Sequence, residues 1–307
     1  MNVYQEFSRP LGDAAVAVGM FDGVHQGHRQ VILRAAAWRE QYRVAVLTFM
    51  AREHRPSRKA DQKDILTPQD RLLCLGKLPV DDVYIPPFEQ FCALSPEQFV
   101  RDILGKALSA RVICCGEDYR FGRGAAGDVA LLKRLAVEIG AEVEVVPPVL
   151  DQGEPVSSTR IRRALTEADI ETANRLLGYR YFIRGEVVYG RQIGRKLLDC
   201  ATLNQELDSG ICLPRFGVYI SSTEIDGVEY PSITNIGVKP TIAGERQPLA
   251  ETHVIGIDRD LYGQVLTVQL YRFLRGEQKF DGLEQLAVQM HRDMERSTEY
   301  FAQGSTD

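Results

Sequence analysis

The order in which apolar runs give way to polar, glycine-bearing turns divides this chain into two halves of different rhythm. In the first half, apolar stretches at 14–19, 43–49, 82–86, 111–115 and 142–146 alternate with segments at 29–42, 68–78, 96–108 and 128–139 whose pattern is helical. Val31, Ile32, Ala35 and Trp38 set the stripe of the first of these segments. Continuous apolar strands alternating with helices predict a doubly wound parallel sheet with helices on both faces. Two more helices are expected at 158–165 and 169–177, stopped by Gly178. From Tyr181 the pattern becomes strand-like, at 181–189, 217–225, 228–235, 251–257 and 265–272, with Asp226-Gly227 as a two-residue hairpin turn. A closing helix at 282–301 carries Leu283, Leu286, Met290, Met294 and Tyr300. Short antiparallel strands and one packed helix predict a small antiparallel β-barrel. The expected fold is α/β, with one domain at 1–180 and a barrel domain with a C-terminal helix at 181–307.

Length and composition agree with two cores. The 307 residues are 44% hydrophobic and 26% charged, which is ordinary for a globular protein. A net charge of -5 argues against a nucleic-acid partner, whose footprint would be basic. The six cysteines form no Cys-x-x-Cys pair and read as reduced thiols. No apolar run reaches the length of a membrane span, and the N-terminus lacks the features of a signal peptide. A cytoplasmic protein with small-molecule partners and no membrane is expected; the oligomeric state stays open. The basic stretch 52–63 reads either as a solvated loop or as a lid over phosphates.

Three strings carry candidate chemistry, each at a strand-to-helix transition. Gly19-Met20-Phe21-Asp22-Gly23-Val24-His25-Gln26-Gly27-His28 ends the first strand. Glycines admit a ligand close to the backbone, a helix N-terminus attracts anions, and two imidazoles three apart add directed donors for a polyphosphate. His-x-Gly-His taken alone also reads as a tight turn with a capping histidine. Gly116-Glu117-Asp118-Tyr119-Arg120-Phe121-Gly122-Arg123-Gly124 follows the strand at 111–115. Val156-Ser157-Ser158-Thr159-Arg160-Ile161-Arg162 opens the next helix, with Ser158 or Thr159 as N-cap.

Together these strings resemble the adenylyl-transferring nucleotidyltransferases, and within them the bacterial bifunctional riboflavin kinase/FAD synthetases (FMN adenylyltransferases). The resemblance implies a nucleotidyltransferase domain in which His25, His28 and Arg160 are catalytic. Gly19, Phe21, Asp22, Gly23, Gly27, Ser158, Thr159 and Arg162 would bind nucleotide phosphates, and Asp118, Arg120 and Phe121 the flavin. The second half is similar to the family's kinase domain. Asn235-Ile236-Gly237 matches its Asn-Ile-Gly loop, Glu251-Thr252-His253 the strand bearing the acid-base glutamate, and 274–280 the segment before the last helix. By that likeness Glu251 is the base, Gly194 and Asn235 bind nucleotide, Arg275 and Glu277 bind flavin, and Thr202 and Asn204 hold Mg²⁺.

The expected activity joins the adenylyl group of ATP to FMN, giving FAD, with phosphorylation of riboflavin to FMN by the barrel. Two departures from the family pattern stand out. Gly194 to Asn204 contains Leu198-Asp199-Cys200-Ala201 where the family has a Gly-Phe-Pro turn, and Phe49-Met50-Ala51-Arg52-Glu53 replaces Phe-x-Pro-His-Pro. A carboxylate beside ATP phosphates is repulsive, so an FAD synthetase with a degenerate kinase domain, or a non-catalytic flavin or nucleotide sensor, stands as the alternative.

Overall fold

The computed structural model describes residues 1–7, 11–49, 62–189, 201–240, 246–257 and 259–304. These fall by their contacts into two compact units, Met1–Ser158 and Thr159–Asp307.

The first unit runs β1 (Asn2–Tyr4), β2 (Ala14–Val18), α1 (Gln26–Ala36), β3 (Arg43–Leu47), α2 (Pro68–Gly76), β4 (Asp82–Tyr84), α3 (Pro96–Gln98, continuing as a π-helix over Phe99–Ala107), β5 (Ala110–Gly116), α4 (Val129–Glu138) and β6 (Glu142–Val146). A small hairpin, β7 (Leu150–Asp151) and β8 (Glu154–Pro155), follows. The sheet order is β1-β4-β3-β2-β5-β6, and every pairing is parallel. The chain leaves β2 toward β3 on one side, and β5 lies on the other. The sheet therefore reverses its strand order between β2 and β5, and the crevice beyond the carboxyl ends of such a pair is where open α/β sheets bind ligands. The strings at 19–28 and 116–124 both emerge there. Side chains cap the helix starts: Thr67 accepts from the Asp70 N–H, Ser95 and Gln98 form a capping box, and Asp128 accepts from Leu131. The helix read at 96–108 is in fact one α-turn followed by nine π-helical residues.

The second unit opens at Thr159, the second residue of α5 (Ser158–Glu167), and continues with α6 (Ile170–Leu177), which ends on Gly178 in the left-handed region at φ 75° as expected for a glycine stop. Then come β9 (Phe182–Glu186), β10 (Ala201–Glu206), β11 (Gly217–Ile225), β12 (Val228–Pro240), β13 (Arg246–Val254), β14 (Val265–Arg275) and α7 (Leu283–Ala302). Antiparallel pairing in the order β10-β13-β12-β11-β14-β9 nearly closes a barrel. The seam is bridged where Val188 N–H donates to the Asn204 carbonyl (2.8 Å) and Gln205 Nε2 donates to the Gly185 carbonyl (2.9 Å). Asp226-Gly227 makes the expected two-residue hairpin, both residues at positive φ (53° and 78°) and Ile225 opposite Val228. Strand β10 had no counterpart in the strand pattern. Its residues become a strand by tertiary pairing to β13.

Candidate functional site

In the first unit, His25 is the N-cap of α1: its φ/ψ of −68°/174° is extended, and its Nδ1 accepts the His28 backbone N–H at 3.3 Å. The capping histidine that the motif also reads as is therefore present. A neutral ring that accepts at Nδ1 carries its proton on Nε2, so the far nitrogen is a donor. His25 is only 5% exposed, and its ring stacks on that of His28 with centroids 3.5 Å apart. Gly27 permits this, since a Cβ there would lie 3.2 Å from His25 Cε1. Phe21 is buried and meets His28 edge-on at 5.4 Å. The backbone between is unusual: Phe21 has φ 48°, Gly23 82° and Val24 39°. A β-branched residue at positive φ is a strained exception.

Four contacts hold that backbone. Asp22, 2% exposed, accepts the Ile65 N–H through Oδ1 at 2.9 Å. Ser158 Oγ donates to the Asp22 carbonyl at 3.0 Å. The Met20 carbonyl accepts from Thr48 Oγ1 at 2.8 Å and from Arg71 Nη1 at 3.2 Å. Ser158 is thus brought to the loop as the sequence implied, whereas Thr48, Asp64 and Arg71 were missed. A charged residue on a helix gives no sequence signal that it is buried.

The 116–124 loop does not hold its three expected residues alike. Arg120 is exposed and 4.0 Å from Asp128, and Asp118 is exposed beside Gly116. Phe121 is a core side chain, 5% exposed, stacked on Tyr119 with centroids 5.9 Å apart and packed on Phe99. Gly127 makes room for it: a Cβ there would sit 2.6 Å from Phe121 Cε1. Thr159, Arg160 and Arg162 lie in the first turns of α5 in the second unit, Thr159 exposed and the two arginines half-buried.

In the barrel, Glu251 stands opposite Asn204 on β10 and opposite Asn235 on β12, so three expected site residues share one rung across three strands. Two residues along, Thr202 faces His253, and Thr202 Oγ1 lies 3.1 Å from His253 Nδ1. Asn204 is 1% exposed, and its Oδ1 has no hydrogen-bond partner among the described residues. A buried amide oxygen without a donor and a neighbouring hydroxyl suit a hard, oxygen-seeking cation. Gly237 lies under Glu277, whose carboxylate would collide with any Cβ there. Arg275 has another partner: its Nε and Nη2 donate to Oδ2 of the fully buried Asp293 on α7 at 3.0 and 2.8 Å. Asp293 falls on the inner stripe of α7 with Met290, a charged break in an apolar pattern that could have marked it. Gly194, Asp199 and residues 50–53 lie outside the described residues.

Comparison with known proteins bears on both units. Residues 8–160 match the FAD synthetase family model, and residues 177–301 match the riboflavin kinase model. The bifunctional riboflavin kinase/FMN adenylyltransferase of Bacillus subtilis (strain 168) is 33% identical over 297 residues, 94% of this chain and 93% of that protein. Its namesake from Escherichia coli (strain K12) is 33% identical over 95% of this chain and 94% of that protein, and that of Pseudomonas fluorescens 35% over 93% of each. A crystal structure described as a macrolide-efflux protein from Streptococcus pneumoniae superposes with a TM-score of 0.84 at 29% identity, covering 96% of this chain and 98% of that one. Among the described residues no helix is long and apolar enough to cross a membrane. With a model for each activity matched in order and full-length relatives at this identity, the chain belongs to the family of bifunctional riboflavin kinase/FMN adenylyltransferases.

Proposed function

We infer that this chain makes FAD from riboflavin in two ATP-dependent steps. The barrel phosphorylates riboflavin to FMN, releasing ADP, and the parallel-sheet domain joins FMN to the adenylyl group of ATP, releasing pyrophosphate. The observation that supports the second step best is the stacked His25–His28 pair at the N-terminus of α1, beyond the central strand β2. Donors and a helix terminus gathered there match charge that builds on the α-phosphate as the FMN phosphate attacks it. We assign His25, His28 and Arg160 to that transition state, and Ser158, Thr159 and Arg162 to the polyphosphate. This division of labour places adenylyl transfer in 1–180 and the kinase in 181–307, in the cytoplasm.

In the barrel we assign Glu251 as the base that takes the proton of riboflavin's attacking hydroxyl, placed by its rung between Asn204 and Asn235. Thr202 and Asn204 would hold Mg²⁺, which when bound neutralises charge on the ATP phosphates. The test is a product assay. The purified chain is incubated with ATP and Mg²⁺ and either riboflavin or FMN, and the flavins are resolved by chromatography. FMN and FAD from riboflavin are expected. FAD from FMN, with no FMN made from riboflavin, would restrict the chain to adenylyl transfer and implicate Asp199; no flavin turnover at all would overturn the reading.

A further inference from the structure

The Arg71 guanidinium is 1% exposed, and Asp64, 3.6 Å from its Nη2, is as deeply buried. Arg71 Nη1 reaches two backbone carbonyls that belong to different strand ends: Met20, past β2, at 3.2 Å and Phe49, past β3, at 3.1 Å. Its Nε has no hydrogen-bond partner among the described residues. A buried ion pair this long, with a donor left over, is a poor way to stabilise a core; apolar residues of similar volume usually do as well or better. The pair is better explained by what it touches. Asp64 precedes Ile65, whose N–H is held by Asp22, and Arg71 holds Met20, so the strained stretch 20–24 is tied to segment 64–71 at its start and at its middle. Backbone at positive φ in Phe21 and Val24 persists only where its surroundings over-determine it.

We propose that Arg71 and Asp64 form a positioning frame for adenylyl transfer, keeping residues 20–24 in their strained course so that the His25–His28 pair faces the phosphates. The frame rests on the functional reading above. It touches no substrate and acts through the loop.

The test uses the full chain with Arg71→Lys and with the double substitution Asp64→Leu/Arg71→Met, which replaces the pair by apolar side chains. Kinetics of FAD formation from FMN, riboflavin phosphorylation and thermal melting are measured on the same samples. The double variant is expected to melt at most several degrees below the native chain, since the Met20 and Phe49 carbonyls lose a donor, and to phosphorylate riboflavin normally. Its kcat for FAD formation is expected to fall about 10- to 100-fold with little change in KM for ATP, because misplacing a transition-state group by about an ångström has effects of that size. Arg71→Lys, which keeps the cation but not the fork, is expected to fall between. An unchanged kcat overturns the frame. So does a parallel loss of both activities and of melting temperature, which would make the pair a plain folding element. If the native chain forms no FAD, the functional reading fails first and the frame has no reaction to serve.

Discussion

In the parallel sheet, β2 is five aliphatic residues none more than 4% exposed, and every polar group with a chemical part to play lies past its end. In the barrel, Thr202, Asn204, Glu251 and His253 sit on the strands themselves, each set by its cross-strand partner. The other face of those strands, the barrel interior, is lined by hydroxyls where the sheet has aliphatics. Thr223, Ser232, Ser221, Thr234 and Thr252, all fully buried, form one chain with links of 3.1, 2.9, 2.8 and 2.9 Å. The difference teaches where each site is vulnerable. A site on a loop depends on pins such as Arg71, Asp22 and Ser158, whereas a site on strands depends on register, since a one-residue slip turns every side chain to the wrong face.

The comparison can be broken by separating the two activities. Glu251→Gln keeps the rung and the volume but removes the carboxylate proposed as the base. Riboflavin phosphorylation is expected to drop about 10²- to 10⁴-fold while FAD formation from added FMN stays at its native rate. A comparable loss in both reactions would mean that the rung supports the whole chain rather than one reaction. On the other side, His28→Ala is expected to lower FAD formation about 10²- to 10³-fold, the cost of removing a donor aimed at developing charge. Calorimetry should show a much smaller change in melting, and matched losses would favour the capping role alone.

The interiors are compared by Thr234→Val, which leaves the Ser221 and Thr252 hydroxyls without their shared neighbour. A loss of about 1–3 kcal/mol in chemical denaturation is expected, as for other buried polar groups stripped of a partner. A neutral result would show that the chain reorganises around the gap. The smallest effect belongs to the sheet. Cys114 and Cys115 are successive residues of β5, so they point to opposite faces, and burial pushes their thiols up to about 12 and about 11 from an ordinary 9.0. An acid whose pKa is raised by folding adds stability that is full below its unfolded value. That contribution fades as pH climbs from about 9 through 11 and 12. Alkylation of the native protein near neutral pH, resolved by peptide mass spectrometry, is expected to modify half-buried Cys92 well before either of them. Early modification of one of the pair would mean that one face of the sheet opens readily.

Much of this was legible in the residues. Five of the six strands of the sheet were marked by largely apolar stretches, the edge strand β1 was not, and Gly178 and Asp226-Gly227 marked turns whose backbone conformations suit those residue types. The His25–His28 string could be placed at a helix start because glycines and a following apolar stripe surround it. Strand β10 was not legible, because Thr202-Leu203-Asn204-Gln205 carries one apolar residue in four and earns its place only by pairing with β13. The barrel interior hid for the same reason: hydroxyls at Ser221, Thr223, Ser232 and Thr234 look like solvent-facing positions until they satisfy one another. Arg71 and Asp64 escaped because no local pattern says that a charge will be buried beside its partner, whereas Asp293 interrupts the apolar stripe of α7 and could have been noticed.

One hydrogen-bonded clamp bears on how the protein can be dissected. Asn174, near the end of α6, accepts the Tyr181 N–H at 2.6 Å and donates to the Leu270 carbonyl on β14 at 2.9 Å, while Arg215 N–H reaches back to the Leu165 carbonyl of α5. A fragment begun at Tyr181 would uncover three main-chain groups and the greasy seat of α6 on the barrel wall. One begun ahead of Ser158 keeps both helices as an integral cap, and is the cut at which a free-standing kinase would express as a well-behaved, cooperatively melting protein.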